Sequence, residues 1–175
     1  MKMRTMLKGL EATDPMEVER RIIGLDAYAR ASVLVGYCPM KDEVDVSHLL
    51  DRAIADGKTV LLPDIEPGTF RAAPSDWRER LIKLENGTKT VDTYEIISIV
   101  DSGIFNDVAV VVLVPGLAFT EDGTRLGRGS GYYDQFLNEA SGGDITTIGI
   151  CRGAQILESL PQQPHDRKVD MVIAF

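Results

Sequence analysis

Apolar and polar positions along this chain follow two periodicities, and their alternation predicts its elements. Val18, Ile22, Leu25 and Ala29 recur at helical spacing behind Asp14-Pro15-Met16-Glu17, which supplies an N-cap, a first-turn proline and a capping-box glutamate. A helix is therefore predicted over 15–30, a strand over 31–37 (ASVLVGY) and a loop over 38–43. Leu49, Leu50, Ala53 and Ile54 form the apolar stripe of a second helix that stops at Gly57, and 58–62 (KTVLL) reads as a strand closed by Pro63. From 66 to 90 the turn signals Pro67-Gly68 and Pro74 break the pattern, and 77–84 fits either a short helix or an edge strand. A strand is predicted at 94–100, followed by the uninterrupted run 108–114, β-branched and too short to cross a membrane, which reads as a strand buried on both faces. That run stops at Pro115-Gly116 and gives way to a loop carrying Gly123, Gly127, Gly129 and Gly131, then to a helical pattern at 132–137. A turn at 141–144, a strand at 145–151, a short helix at 154–160 and a last strand at 169–174 complete the chain. This alternation predicts a three-layer α/β/α fold with a mainly parallel central sheet, and the 175 residues carry no linker that would divide one domain into two.

The glycine loop changes the picture from architecture to chemistry. Glycines at alternate positions let the backbone approach a ligand and turn successive N–H groups into one concavity, the arrangement that binds anions. Arg125 and Arg128 add positive charge, and the helix after Gly131 adds the positive end of its dipole. The spacing is neither a P-loop nor a dinucleotide fingerprint, and on the glycines alone a plain surface loop is the better reading. A formal charge of −8 argues against general affinity for nucleic acid or anionic membranes, which makes a phosphate cradle a local exception. Cys38 and Cys151 sit in apolar stretches without metal-ligand or disulfide spacing and are expected as buried, inert thiols, as suits a cytoplasmic protein. Trp77 is expected in packing, His48 and His165 on the surface. No pattern encodes an oligomeric state.

Taken whole, the string 115–134 is more specific. Pro115-Gly116-Leu117-Ala118-Phe119, Gly123-Thr124-Arg125-Leu126-Gly127 and Gly129-Ser130-Gly131-Tyr132-Tyr133-Asp134 resemble the signature of the 5-formyltetrahydrofolate cyclo-ligase family, the methenyltetrahydrofolate synthetases. Glu43-Val44-Asp45-Val46 resembles that family's Glu-Val-Asp-Thr loop, and His165-Asp166 with Val169-Asp170 resembles its C-terminal His-Asp…Val-Asp segment. The resemblance implies an architecture like that of sugar-phosphate isomerases and CoA transferases, and an enzyme that uses ATP and Mg²⁺ to cyclise 5-formyltetrahydrofolate, a reduced folate.

Residue by residue, the resemblance implies ATP contacts from Arg4, Gly127, Arg128, Gly129, Ser130, Gly131, Tyr132 and Asp134. It implies folate contacts from Glu43 at the pterin end, Phe119 and Tyr133, metal ligands in Asp134 and Asp166, and catalytic roles for Glu43, Arg125 and Tyr132. Ser130 stands where members often carry lysine, the N-terminal lysine that accompanies the Arg4 position is absent, and Thr120 replaces the usual aspartate. The family's Gly-x-x-Glu-Pro segment is not recognisable around Tyr94-Glu95-Ile96. These departures imply weaker ATP affinity and an altered folate pocket. A non-catalytic or divergent nucleotide- or folate-binding relative remains an alternative reading. So does a sugar-phosphate isomerase or acyl-transfer enzyme, which would need an anion loop and a carboxylate but no ATP.

Overall fold

Asp14 accepts a hydrogen bond from the Met16 N–H at 3.0 Å and starts α1 (Pro15–Ile23), with proline in its first turn. The structure is a computed structural model that describes residues 12–64, 66, 68–83, 89–93, 96–98, 105, 107–129, 131–139, 143–162 and 166–175. The single helix predicted over 15–30 is broken: α1 ends at Gly24, Leu25 is extended (ψ 138), and α2 (Asp26–Arg30) starts afresh. Glycine is a poor helix former. The break lets Leu25 pack on the core and buries Tyr28, whose hydroxyl donates to Asp56 Oδ2 at 2.8 Å.

β1 (Val33–Val35), α3 (Ser47–Ala55) and β2 (Thr59–Pro63) lie within the predicted elements. In the ambiguous stretch, β3 (Thr69–Ala72) was not legible, and 75–80 is a run of turns. The edge-strand alternative holds only for β4 (Leu81–Lys83), which pairs antiparallel with β5 (Lys89–Val91). Trp77 is 2% exposed and donates its indole N–H to Asp51 Oδ1 at 2.7 Å, so it packs as expected. β6 (Ile96–Ser98) precedes the long strand β7 (Ala109–Pro115). The front of the glycine loop is a small hairpin, β8 (Ala118–Phe119) with β9 (Arg125–Leu126), before α4 (Tyr132–Glu139), β10 (Asp144–Cys151) and finally β11 (Met171–Ala174).

The helix predicted at 154–160 does not form. A 3₁₀ turn covers Gly153–Gln155, and the chain then runs extended, with Ile156 bridged to Phe119 and the Leu157 N–H donating to the Phe119 carbonyl at 2.8 Å. The Leu157 donor that a helix would use is thereby spent on the hairpin.

The sheet has seven strands in the order β11-β10-β7-β1-β2-β3-β6. It is parallel from β11 through β2 and antiparallel at β3 and β6. Alternate side chains face opposite layers. Leu34, Val60, Leu62, Val111 and Leu113 pack under Val18 and Ile22 of α1 and Leu49, Leu50 and Ala53 of α3. Val33, Val35, Leu61, Val110, Val112 and Val114 pack under Phe136 of α4 with Phe70, Phe105 and Phe119. The predicted three-layer arrangement is therefore present. No described helix is long and apolar enough to cross a membrane.

The turn of the β8–β9 hairpin holds the last strand in place. Gly123 has φ +90, its carbonyl accepts from the Val169 N–H at 3.0 Å, and a Cβ there would lie 2.2 Å from the Val169 carbonyl oxygen. Gly123→Ala combines a strained conformation with a backbone collision. It is expected to cost about 3 kcal/mol, read as a Tm lower by roughly 10 °C in thermal unfolding.

Candidate active site

Strand order reverses between β1 and β7. The chain leaves β1 through α3 to β2 on one side, and leaves β7 through α4 to β10 on the other. In open α/β sheets, ligands bind in the crevice beyond the carboxyl ends of the strands at such a point. The loops after β1 and after β7 meet there, and most of the candidate residues lie on them or at the head of α4.

From the β1 loop comes Glu43, with a side chain only 6% exposed. Its Oε2 accepts from the Met40 N–H at 2.9 Å and its Oε1 from Arg128 Nε at 3.0 Å. Burial pushes the carboxyl pKa up, against the opposing pull of the Met40 N–H and the Arg128 guanidinium. The other end of that guanidinium, Nη2, donates to Asp42 Oδ1 at 2.9 Å. Beneath them, Tyr37 is buried and donates its hydroxyl to the Val44 carbonyl at 3.0 Å.

From the β7 loop comes Arg125, 6% exposed, with Nη2 donating to Asp134 Oδ1 at 2.8 Å and its guanidinium 5.7 Å from the Tyr133 ring centroid. Gly127 makes room for it: a Cβ there would lie 2.6 Å from Arg125 Nη1. Among the described residues the buried Tyr133 hydroxyl and Arg125 Nε have no hydrogen-bond partner, two polar atoms in one site that a ligand could satisfy. Burial pushes the Tyr133 phenol well above its ordinary range, with Tyr132 and Glu43 adding to the effect. The Tyr132 ring lies 5.4 Å from that of Tyr133, and its hydroxyl donates to the Thr69 carbonyl at 2.7 Å. Gly129 and Gly131, with φ +93 and +66, have nothing within 4 Å of where a Cβ would stand. These left-handed turns at the head of α4 present an open backbone face that suits a phosphate.

Arg152 and Gln155, which sequence reasoning missed, tie these loops together. Arg152 is 7% exposed and donates through Nη1 to the Asp42 carbonyl at 2.8 Å and through Nη2 to the Glu43 carbonyl at 3.1 Å. Gln155, 2% exposed, accepts from the Arg152 N–H at 2.8 Å and donates to the carbonyls of Gly116 at 2.9 Å and Leu117 at 3.2 Å. The one signal was positional: a charged residue directly after an apolar strand, at the ligand-binding edge of the sheet. Arg152 also lines a cleft of about 570 Å³ bounded by Thr13, Asp14, Arg21, Gly153 and Phe175.

The fold thus joins Glu43 to Arg128, and Arg125 to Asp134 and Tyr133, with Tyr132 alongside. The positive charge expected of Arg125 and Arg128 is paired, each guanidinium being held by carboxylate. One expectation, that for Phe119, needs correction. Phe119 is fully buried, and Cβ atoms at Gly116 and Gly149 would lie 2.8 and 2.6 Å from its ring, so it fills the core beneath the turn instead of lining a ligand wall. Asp134 and Asp166 belong to no group of three or more His, Cys, Asp and Glu side chains among the described residues. Arg4, Ser130, His165 and Tyr94-Glu95 lie outside the described residues. His48 is exposed, and both thiols are buried and free, pushed up to about 12 by that burial.

Residues 2–174 match the model of the 5-formyltetrahydrofolate cyclo-ligase family. The mouse 5-formyltetrahydrofolate cyclo-ligase is 26% identical over 184 residues, covering 98% of this chain and 89% of its own. The Saccharomyces cerevisiae 5-formyltetrahydrofolate cyclo-ligase is 27% identical over 179 residues, covering 93% and 84%. Among solved structures, the 5,10-methenyltetrahydrofolate synthetase of Aquifex aeolicus superposes with a TM-score of 0.69 at 27% identity, covering 91% of this chain and 77% of that one. With a family match over almost its whole length, this chain belongs to the 5-formyltetrahydrofolate cyclo-ligase family, a family of ligases.

Proposed function

We propose that this protein converts 5-formyltetrahydrofolate and ATP into 5,10-methenyltetrahydrofolate, ADP and phosphate, in the cytoplasm. The observation that carries the reading is the buried Glu43 carboxylate held by Arg128, the residue directly before the positive-φ Gly129 and Gly131: Glu43 would serve the folate, the glycines the phosphates. ATP, the second substrate, supplies the phosphoryl group that makes the formyl oxygen able to leave, after which N10 closes the ring. The protein's part is orientation and charge. Gly129, Gly131 and the head of α4 offer N–H groups to phosphate oxygens, and Arg125, fixed by Asp134 and packed under Tyr133, holds positive charge behind them. Glu43 accepts N–H groups of the folate ring, and the unpartnered Tyr133 hydroxyl lies between the two halves as a hydrogen-bond donor or acceptor.

The donor set suits Mg²⁺ in company with phosphate. Asp134 gives one oxygen to Arg125, and Arg167 docks the segment carrying Asp166 onto Asn138 of α4 at 2.6 Å, one turn beyond Asp134. Two carboxylates with phosphate and water oxygens make an ordinary Mg²⁺ site, and the ion would supply charge at the transferring phosphoryl oxygens. The cleft beside Arg152 has room for the rest of a nucleotide.

The test is absorbance of the methenyl product after mixing protein, 5-formyltetrahydrofolate and Mg²⁺ with and without ATP. An ATP-dependent rise is expected. No rise, with ATP still bound in calorimetry, would leave a non-catalytic relative as the reading.

A further inference from the structure

Arg128 immediately precedes the open glycine turn, yet its guanidinium crosses to the other loop of the crevice, with Nε on Glu43 at 3.0 Å and Nη2 on Asp42 at 2.9 Å. The Arg128 guanidinium is thus shared by two carboxylates. Arg128 and Asp42 are 23% and 22% exposed, whereas Glu43 is 6% exposed. The backbone under both acids is pinned separately, by Arg152 on the carbonyls of Asp42 and Glu43. The loop can therefore keep its place when the guanidinium changes partners. A phosphate arriving at Gly129 and Gly131 competes for this cation, because the arginine adjoins that turn in the chain and phosphate accepts its planar fork as a carboxylate does.

We propose that Asp42 is a positioning residue that makes Arg128 a shared counter-ion, so that nucleotide and folate each strengthen the other's binding. Phosphate in the glycine turn draws Arg128 off the two acids. Glu43, buried and now without its cation, turns to the N–H groups of the folate ring. Read in the other direction, a folate that satisfies Glu43 releases Arg128 to the phosphates. Thermodynamic linkage requires the two effects to be equal. Asp42 sets their size: it holds the second fork of Arg128 and adds a negative charge beside Glu43. The inference rests on the function proposed above.

The experiment measures the Kd of a non-hydrolysable ATP analogue with Mg²⁺ by calorimetry, with and without saturating 5-formyltetrahydrofolate, in the wild type, Asp42→Asn and Asp42→Glu. In the wild type, folate is expected to tighten the analogue by at least about fivefold. In Asp42→Asn the analogue alone binds more tightly, since one competitor is weakened, and the tightening by folate shrinks, because only Glu43 still holds Arg128. Asp42→Glu restores the wild-type pattern. A purely structural Asp42 would change affinities without changing the ratio. Wild-type tightening below about twofold, or an undiminished ratio in Asp42→Asn, overturns the proposal. The wild-type measurement decides even if a variant does not fold. ATP-dependent cyclisation without coupling sinks this inference alone, whereas no cyclisation sinks the function on which it rests.

Discussion

Glu43→Gln is expected to lower kcat/KM for 5-formyltetrahydrofolate by about 10²-fold or more while leaving the protein folded. The carboxylate is nearly enclosed, its pKa is raised chiefly by burial, and the Met40 N–H and Arg128 steady the charged form. An amide of the same shape keeps the packing but loses the charge that receives ring N–H groups. The sign of the stability effect follows from the same shift. A carboxyl whose folded pKa lies above its unfolded value favours the fold in its neutral form, so its contribution falls as pH rises from the unfolded pKa of about 4.3 through the raised one. Glutamine mimics the neutral form, and the variant's Tm near neutral pH should therefore equal or exceed that of the wild type. Steady-state kinetics at saturating ATP and a thermal melt check both halves; a lost fold, or turnover like the wild type, would remove Glu43 from the mechanism.

Arg125→Ala is expected to cost about 10²- to 10³-fold in kcat, the scale for removing a pre-oriented donor of positive charge at a reacting group. The side chain is buried between Gly127, Asp134 and the Tyr133 ring. Its loss would also leave Asp134 without the cation that orients it for the proposed Mg²⁺ site. Arg125→Lys should rescue little, because an ammonium lacks the planar fork and cannot reproduce both the Asp134 bond and the contact with Tyr133. The telling readout is kcat measured at saturating Mg²⁺ and ATP. A loss that high Mg²⁺ repairs would assign Arg125 to holding Asp134, and a loss that persists would assign it to charge at the phosphoryl group.

Much of this could be seen in the residues alone, because parallel strands buried on both faces leave an apolar run that few other structures need. The run 108–114 located β7, and the Asp14 cap located α1. Failures came where tertiary contacts decide local structure. Residues 154–160 have helical composition, but the Leu157 N–H goes to the Phe119 carbonyl and the Gln155 amide to Gly116 and Leu117. The β8–β9 hairpin has only two residues per strand, below any periodicity signal. At the site, motif order named Glu43, Arg125 and Arg128 as candidates but not their pairing, since an ion pair between residues 43 and 128 exists only once β1 and β7 lie side by side. Phe119 misled because an aromatic within a binding motif is as useful beneath a turn as on its surface.

The direct pairing of β1 with β7 also bears on how the chain is made. Val33 meets Val110, so the central seam of the sheet joins segments separated by roughly 75 residues of sequence, the kind of non-local contact that forms slowly. While a ribosome is still synthesising the second half, β1 and β2 can associate, but one flank of β1 stays an uncovered, wholly apolar edge. Until β7 emerges and docks, the nascent chain carries Glu43 with no opposing glycine turn and an edge open to other chains. Chaperone protection is therefore most needed over that interval of translation.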